Sequence, residues 1–292
     1  MSIVGGMKVS ISITNYTWPG GGLTDELTRV VRAADQAGID TVWVADHLLQ
    51  GDPTCRLEDD MLEAYTTLGY LAGQTERVRL GTMVSAATFR APALLIKAVT
   101  SLDVLSRGRA WFGVGAGYHG DEAAMMGLFL PPTAERFARL EEVLRLAKQM
   151  WAGDDAAFET AHYRLERPLN NPNSVTRPHP PILIGGAGEK ITLRLVAQYA
   201  DACNLPDIPD DGQTVRHKLD VLARHCDAVG RPFDEIEKTL AMALAPGESA
   251  DSFVQRCRVA RERGFDHVGL ITRGTPWTEE TVATVAAAVD GA

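Results

Sequence analysis

Residues 41–50 read TVWVADHLLQ, and an ionisable pair, Asp46 and His47, stands where the uncharged run Val42-Trp43-Val44 has to end. Histidine is the side chain whose ordinary titration lies near neutral pH, so His47 could take or give a proton during a reaction. Asp46 could orient a group or hold a ring N–H, although neighbours on a strand point to opposite faces. A plainer reading is equally open at this point: His47 closes the strand end with a hydrogen bond.

Two glycine clusters suggest where a ligand would lie. Gly185-Gly186-Ala187-Gly188 precedes a predicted helix, where bare backbone N–H groups and the helix dipole favour an anion, and Lys190 could add charge. That suits a phosphate, though glycines also make tight turns. Gly113-Val114-Gly115-Ala116-Gly117 would let a flat ligand approach the backbone. Together the clusters point to a large phosphorylated cofactor.

These residues need a frame, and the hydrophobic periodicity supplies one. KVSISIT (8–14) alternates with period two and predicts strand one. Thr24 reads as the cap of a helix with Asp25 and Glu26 in its first turn, closed by Gly38. Strand two at 41–45, a helix near 60–73, strand three at 79–84, a helix opened by Pro92 and strand four at 110–114 follow. A long helix carries Phe137, Leu140, Leu144, Ala147 and Trp151 on one face. The rhythm continues with strands near 181–185, 202–205, 238–243 and 267–272. Their helices fall near 189–199, 213–229, 249–263 and 278–289. Eight strand–helix units in 292 residues indicate an α/β fold, a single-domain (β/α)8 TIM barrel over 1–292. An open doubly wound sheet would place a glycine-rich turn after strand one, where NYTWPGGGL carries no GxGxxG. About 153–180 form an insertion before strand five, with a short hairpin at 158–165 and an extended proline-rich end. Such an insertion either covers the active-site face or is an inert surface loop.

Active sites of these barrels lie at the C-terminal ends of the strands. Asp46, His47 and both glycine clusters fall at those ends. The net charge of −9, with no lysine–arginine block, argues against nucleic acid. No apolar run reaches the roughly 18 residues of a membrane span, and MSIVGGMK lacks the regions of a signal peptide. Cys55, Cys203, Cys226 and Cys257 form no CxxC pair and read as free thiols of a cytoplasmic protein. The histidines are scattered. His217 and His225 can share a helix face without making a metal site, so no metal is expected.

In order and spacing, five stretches resemble the luciferase-like hydride-transfer family: AADQAGIDTVWVADH, RLGTMVSAATFRAPALLIKA, LDVLSRGRAWFGVGAGYHGDE, RFARLEEVLRLAKQMW and PPILIGGAGEK. The resemblance covers nearly the whole chain. It implies a TIM-type barrel that binds a flavin or the deazaflavin coenzyme F420. The tricyclic ring would lie against a bulge in strand three, here Thr82, Met83, Val84 and Ser85, often with a cis peptide, which maps to Met83-Val84. The cofactor phosphate would lie near Gly185, Gly186, Ala187 and Gly188. Asp46 and His47 would flank ring and substrate, with Gly115, Ala116, Gly117, Tyr118 and His119 on the neighbouring strand end. A homodimer is also implied.

F420 passes a hydride between its C5 and a substrate carbon, while FMN enzymes of the family activate oxygen. SAATFR and the short GAGYHGDE loop resemble the F420 branch more closely. The sugar-phosphate dehydrogenases of that branch carry a glutamate at the position of Tyr118 and a tryptophan shortly after the histidine, where this chain has Leu48-Leu49-Gln50-Gly51. Glucose 6-phosphate is therefore a poor expectation. Tyr118 or His119 would move a proton or bind substrate, and Tyr118 could equally pack against a flat ring. The expectation is an F420-dependent oxidoreductase acting on a small alcohol, imine or activated alkene, with His47 as acid or base and Asp46 in support. The alternatives are an FMN-dependent two-component monooxygenase and a non-catalytic cofactor carrier or sensor.

Overall fold

In the computed structural model, which describes residues 6–287 and 289, every pairing around the main sheet is parallel. The elements are β1 (Lys8–Ile13), α1 (Leu23–Gln36), β2 (Thr41–Val44), α2 (Ala64–Gln74), β3 (Arg79–Thr82), β4 (Ser85–Ala86), α3 (Pro92–Leu105) and β5 (Phe112–Gly115). Then come α4 (Gly120–Met126), α5 (Thr133–Trp151), β6 (Phe158–Glu159), β7 (Arg164–Leu165), β8 (Ile182–Gly185), α6 (Thr192–Tyr199) and β9 (Ala202–Pro206). The chain finishes with α7 (Gln213–Val229), β10 (Glu237–Ala243), α8 (Ala250–Glu262), β11 (His267–Ile271) and α9 (Glu279–Ala286). The sheet runs β3-β2-β1-β11-β10-β9-β8-β5-β4. β3 and β4 are one barrel strand broken at Met83-Val84, and a Leu80–Ala110 bridge beside the β4–β5 pairing closes the ring. The expected (β/α)8 TIM barrel is what the chain forms.

The barrel interior is filled by side chains. Trp43 and Trp111 tilt together with ring centroids 5.6 Å apart, Leu183 and Ala202 join them, and Met83 and Val84 pack against this cluster. Gly81 makes room: an added Cβ would lie 2.7 Å from the Trp111 Cβ and 2.8 Å from the Trp43 ring. This layer plugs the barrel, so the space above it is closed off from the other end.

Several local expectations shift. Thr24 is not the α1 cap; the helix starts at Leu23 after Gly22, which sits at φ 72° and lacks a side-chain cap bond. α2 starts at Ala64, with Glu63 accepting from the Thr66 amide at 2.7 Å, so much of the segment expected as helix near 60 is loop. α6 starts at Thr192, three residues after the expected point, and Glu189 instead binds Lys218 at 2.5 Å. The GYHGDE stretch, expected as a loop, contains the start of α4. The extension of the last helix to 289 crosses Ala288, outside the described residues.

The insertion carries the expected hairpin, β6 paired with β7. It packs on the outside of the helices, not over the barrel mouth. Glu142 of α5 accepts from Thr160 and faces His162, both at 2.9 Å. Asp103 of α3, fully buried, accepts from the Val175 and Thr176 amides at 2.8 and 2.9 Å and from Thr176 Oγ1 at 2.7 Å. Among the described residues no helix is long and apolar enough to cross a membrane.

Candidate active site

The cavity at the C-terminal ends of the strands has a volume of about 450 Å³, within the range of small-molecule sites. Asp46 and His47 line it from the end of β2, and Met83 and Val84 from the break between β3 and β4. Gly115, Ala116, Gly117, Tyr118 and His119 form one wall. Gly185, Gly186, Ala187 and Gly188 continue that wall from the neighbouring strand β8, with Thr192 and Asn204 beside them. Most of the expected site residues therefore converge. Thr82 and Ser85 do not line the cavity, because their hydroxyls are turned into the scaffold beneath it. Ser85 Oγ donates to Thr82 Oγ1 at 3.0 Å, and Thr82 Oγ1 donates to the Gly113 carbonyl at 2.8 Å. Tyr65 OH lies 3.0 Å from Ser85 Oγ, so the chain is completed if the phenol donates. Lys190 is exposed and is not among the lining residues.

The Met83-Val84 peptide is cis, at the position implied by the resemblance. The turn carries Val84 between two strands that could not accept it without glycine. A Cβ on Gly115 would lie 3.0 Å from a Val84 methyl, and one on Gly185 would lie 2.9 Å from it. Gly117 and Gly186 adopt φ of 76° and 111°, the region that favours glycine. The glycines thus serve the bulge and the turns as well as ligand approach.

Asp46 and His47, just past the end of β2, find different partners. Arg90 clamps Asp46 with two hydrogen bonds of 2.6 and 2.8 Å and binds Glu63 at 2.6 Å. Its guanidinium lies over the Tyr65 ring. With both oxygens held by a cation, Asp46 presents an acceptor to the cavity and does not hold the His47 ring, contrary to one expectation. That task falls to Glu122, 1% exposed in its side chain, whose Oε2 lies 2.6 Å from His47 Nδ1. Its Oε1 accepts from the Leu48 and Leu49 amides at 2.6 and 3.2 Å. Burial pushes the Glu122 carboxyl up, but the His47 hydrogen bond, the two amides and the His47 charge together hold it below the usual carboxylate range. An ionised carboxylate only accepts, so His47 Nδ1 carries a hydrogen and Nε2 is left for chemistry. Sequence reading missed Glu122. The available signal was the sequence His-Gly-Asp-Glu, in which a capping residue precedes acidic residues suited to a first helical turn.

His119 caps α4: its Nδ1 accepts from the Glu122 amide at 3.3 Å. Tyr118 is 74% exposed at the cavity edge. Its ring meets His47 edge-on at 5.9 Å between centroids, and His119 meets His47 likewise at 5.6 Å. His47, Met83 and Tyr118 also line a second cavity of about 240 Å³, completed by residues such as Gln50, Gly51, Met61, Ile271 and Arg273. The two cavities share a wall, and the candidate acid–base group stands in it. The loop before α2 shapes the smaller cavity; the 153–180 insertion, left open as either a cover or a surface loop, is absent from the lining of both. No cluster of three candidate metal ligands occurs among the described residues. His217 and His225 both reach Glu189, at 3.2 Å to its side chain and 2.8 Å to its carbonyl.

The residues present fit a flat, phosphorylated cofactor. Asn204 Oδ1 is buried with no hydrogen-bond donor among the described residues, on a cavity wall where a ligand N–H or O–H would satisfy it. The adjoining glycine-rich ends of β5 and β8 keep the space beside them free of side chains.

Comparisons with known proteins agree with this architecture. The chain is 32% identical over 234 residues to an F420-dependent glucose-6-phosphate dehydrogenase from Kineococcus radiotolerans, covering 77% of this chain and 65% of that relative. Among solved structures, an F420-dependent secondary alcohol dehydrogenase in complex with an F420-acetone adduct superposes with a TM-score of 0.82 at 16% identity, covering 98% of both chains. A monooxygenase from Streptomyces bottropensis gives 0.70 at 22% identity, covering 97% of this chain and 80% of that one. The luciferase-like monooxygenase family model matches residues 7–258, and the chain belongs to that family.

Proposed function

We propose that the chain is an F420-dependent oxidoreductase, which transfers a hydride between the deazaflavin coenzyme F420 and a small organic substrate. The observation that carries this reading is the pair of cavities divided by His47, with Glu122 fixing the ring. The larger cavity suits the cofactor with the reacting end of the substrate beside it, and the smaller one the rest of the substrate. When bound, the deazaflavin supplies or accepts hydride. Gly185, Gly186, Ala187 and Gly188, with Thr192, would hold its phosphate. Met83, Val84 and Gly115 would back its ring, and Asp46 and Asn204 would offer acceptors.

His47 moves the accompanying proton through Nε2. Its position on the shared wall and the ionised Glu122 behind it support that role. Relatives named as F420-dependent dehydrogenases support the cofactor assignment. The absence of the glutamate and tryptophan implied for sugar-phosphate enzymes argues for a substrate other than glucose 6-phosphate, and alcohols, imines and activated alkenes all suit the smaller cavity. A homodimer follows from the family resemblance. A cytoplasmic location is supported by four free cysteines, with burial pushing Cys203 and Cys257 up to about 12.

The second reading is an FMN-dependent monooxygenase, favoured by the family description and the monooxygenase neighbour. A cofactor carrier or sensor is the third. Turnover of a substrate panel with reduced and oxidised F420, beside the same panel with reduced FMN and oxygen, tests all three. Deazaflavin turnover supports the proposal; flavin- and oxygen-dependent turnover overturns it.

A further inference from the structure

One short helix touches two histidines in different ways. Through its side chain, Glu122 of α4 accepts from His47 Nδ1. Through its backbone, the same residue donates to His119 Nδ1. An imidazole nitrogen that donates must carry hydrogen, and one that accepts must be bare. Neutral His47 therefore has a bare Nε2, whereas neutral His119 has an Nε2–H. Both rings line the larger cavity, with centroids 5.6 Å apart.

We propose that α4 locks the two histidines in opposite tautomers, and that together they bind the oxygen of an alcohol or carbonyl substrate. This rests on the hydride-transfer reading above and narrows its substrate class. His119 donates a hydrogen bond from Nε2–H to the substrate oxygen, and His47 Nε2 takes the hydroxyl proton. In the oxidative direction the O–H bond breaks, the proton goes to His47, and the C–O bond gains its second bond. The carbon releases a hydride, with its electron pair, to the oxidised deazaflavin, which is reduced by two electrons. Reduction reverses each change. A hydroxyl offers the donor and the acceptor that this pair requires. A protonated amine offers only donors, and a plain alkene offers neither. Glu122 is a positioning residue: it acts through His47 and, by its amide, through His119.

The tautomers can be read without cofactor or turnover. Long-range proton–nitrogen NMR on the cofactor-free, nitrogen-15-labelled protein resolves bare from protonated ring nitrogens, with His47→Gln and His119→Gln supplying assignments. The expected result is Nδ1–H for His47 and Nε2–H for His119. Glu122→Gln gives a sharper test. The Leu48 and Leu49 amides will hold the new amide oxygen, which leaves its NH₂ facing His47 Nδ1. His47 should then switch to Nε2–H while His119 keeps its tautomer and shows that α4 is intact. Cyclopentanol in large excess should shift both Nε2 signals, and pyrrolidinium should shift His47 alone. Identical tautomers in the two rings, an unchanged His47 in Glu122→Gln, or no response of His119 to cyclopentanol would overturn the proposal. Failure of F420 to bind would instead overturn the proposed function and leave these spectra unaffected.

Discussion

Replacing His47 by asparagine separates its chemistry from its structural role. In the native chain Nδ1 lies 2.6 Å from Glu122 Oε2 in a nearly buried pocket. Alanine would leave that oxygen without its donor, a loss of about 1–3 kcal/mol for a buried charged acceptor. The side-chain amide nitrogen of asparagine comes close to the place of Nδ1 and can still donate to Glu122, so the fold and the cavity wall are kept. It cannot take a proton at neutral pH. General acid–base catalysis contributes about 10²–10⁴-fold, or roughly 3–5 kcal/mol of barrier. His47→Asn should therefore keep the melting temperature within a few degrees and the F420 dissociation constant within about threefold, while kcat falls about 100-fold or more. Fluorescence quenching reads the affinity, and deazaflavin absorbance follows turnover. A variant that retains kcat within about threefold would refute the role of His47. So would a kcat loss matched by an equal loss of cofactor affinity, since the ring would then be serving the cofactor and not the reaction.

Three further outcomes follow from the geometry. Gly185→Ala places a Cβ 2.9 and 3.1 Å from the Val84 methyls; overpacking of about 1–3 kcal/mol should weaken F420 binding roughly tenfold in the same titration, with circular dichroism unchanged. Asp103→Ala leaves two amides and a hydroxyl of the insertion without their buried acceptor; it should cost about 3–5 kcal/mol in urea unfolding and speed proteolysis within 170–176, with little change in cofactor affinity. Glu237 is the acid-sensitive group at the other end of the barrel. Burial raises its carboxyl, but His267 at 2.7 Å and Lys8 at 2.5 Å hold it down at about 2, from an ordinary 4.5. Its contribution, about 3 kcal/mol, is fully present above pH 4.5 and lost as pH falls toward 2. Stability curves of the native protein and Glu237→Gln should therefore converge over that window.

Much of the fold could be read because its signals are local. The alternation in KVSISIT gave β1, Pro92 opened α3, and the Gln213–Val229 helix falls where its pattern placed it. Helix starts were harder: glycines before Leu23 let α1 begin one residue before Thr24, and Glu63 rather than an earlier residue satisfies the α2 amides. The site was half legible. His47 could be found because a strand end is a short-range feature. Its partner Glu122 lies 75 residues away, and Arg90 reaches Asp46 across 44. Nothing local marks such pairings, since closure of the barrel is what brings them together. Thr82 and Ser85 were assigned to the cavity by proximity to the bulge, whereas Met83 and Val84 line it and the flanking hydroxyls bond within the scaffold.

The central claim is the identity of the cofactor, and a fluorescence titration of the purified, cofactor-free protein with F420 and, separately, with FMN tests it most directly. Saturable, tight binding of F420 with little binding of FMN is the predicted result. Tight binding of FMN with none of F420 would contradict the account and redirect the chemistry of His47 to oxygen-dependent oxidation.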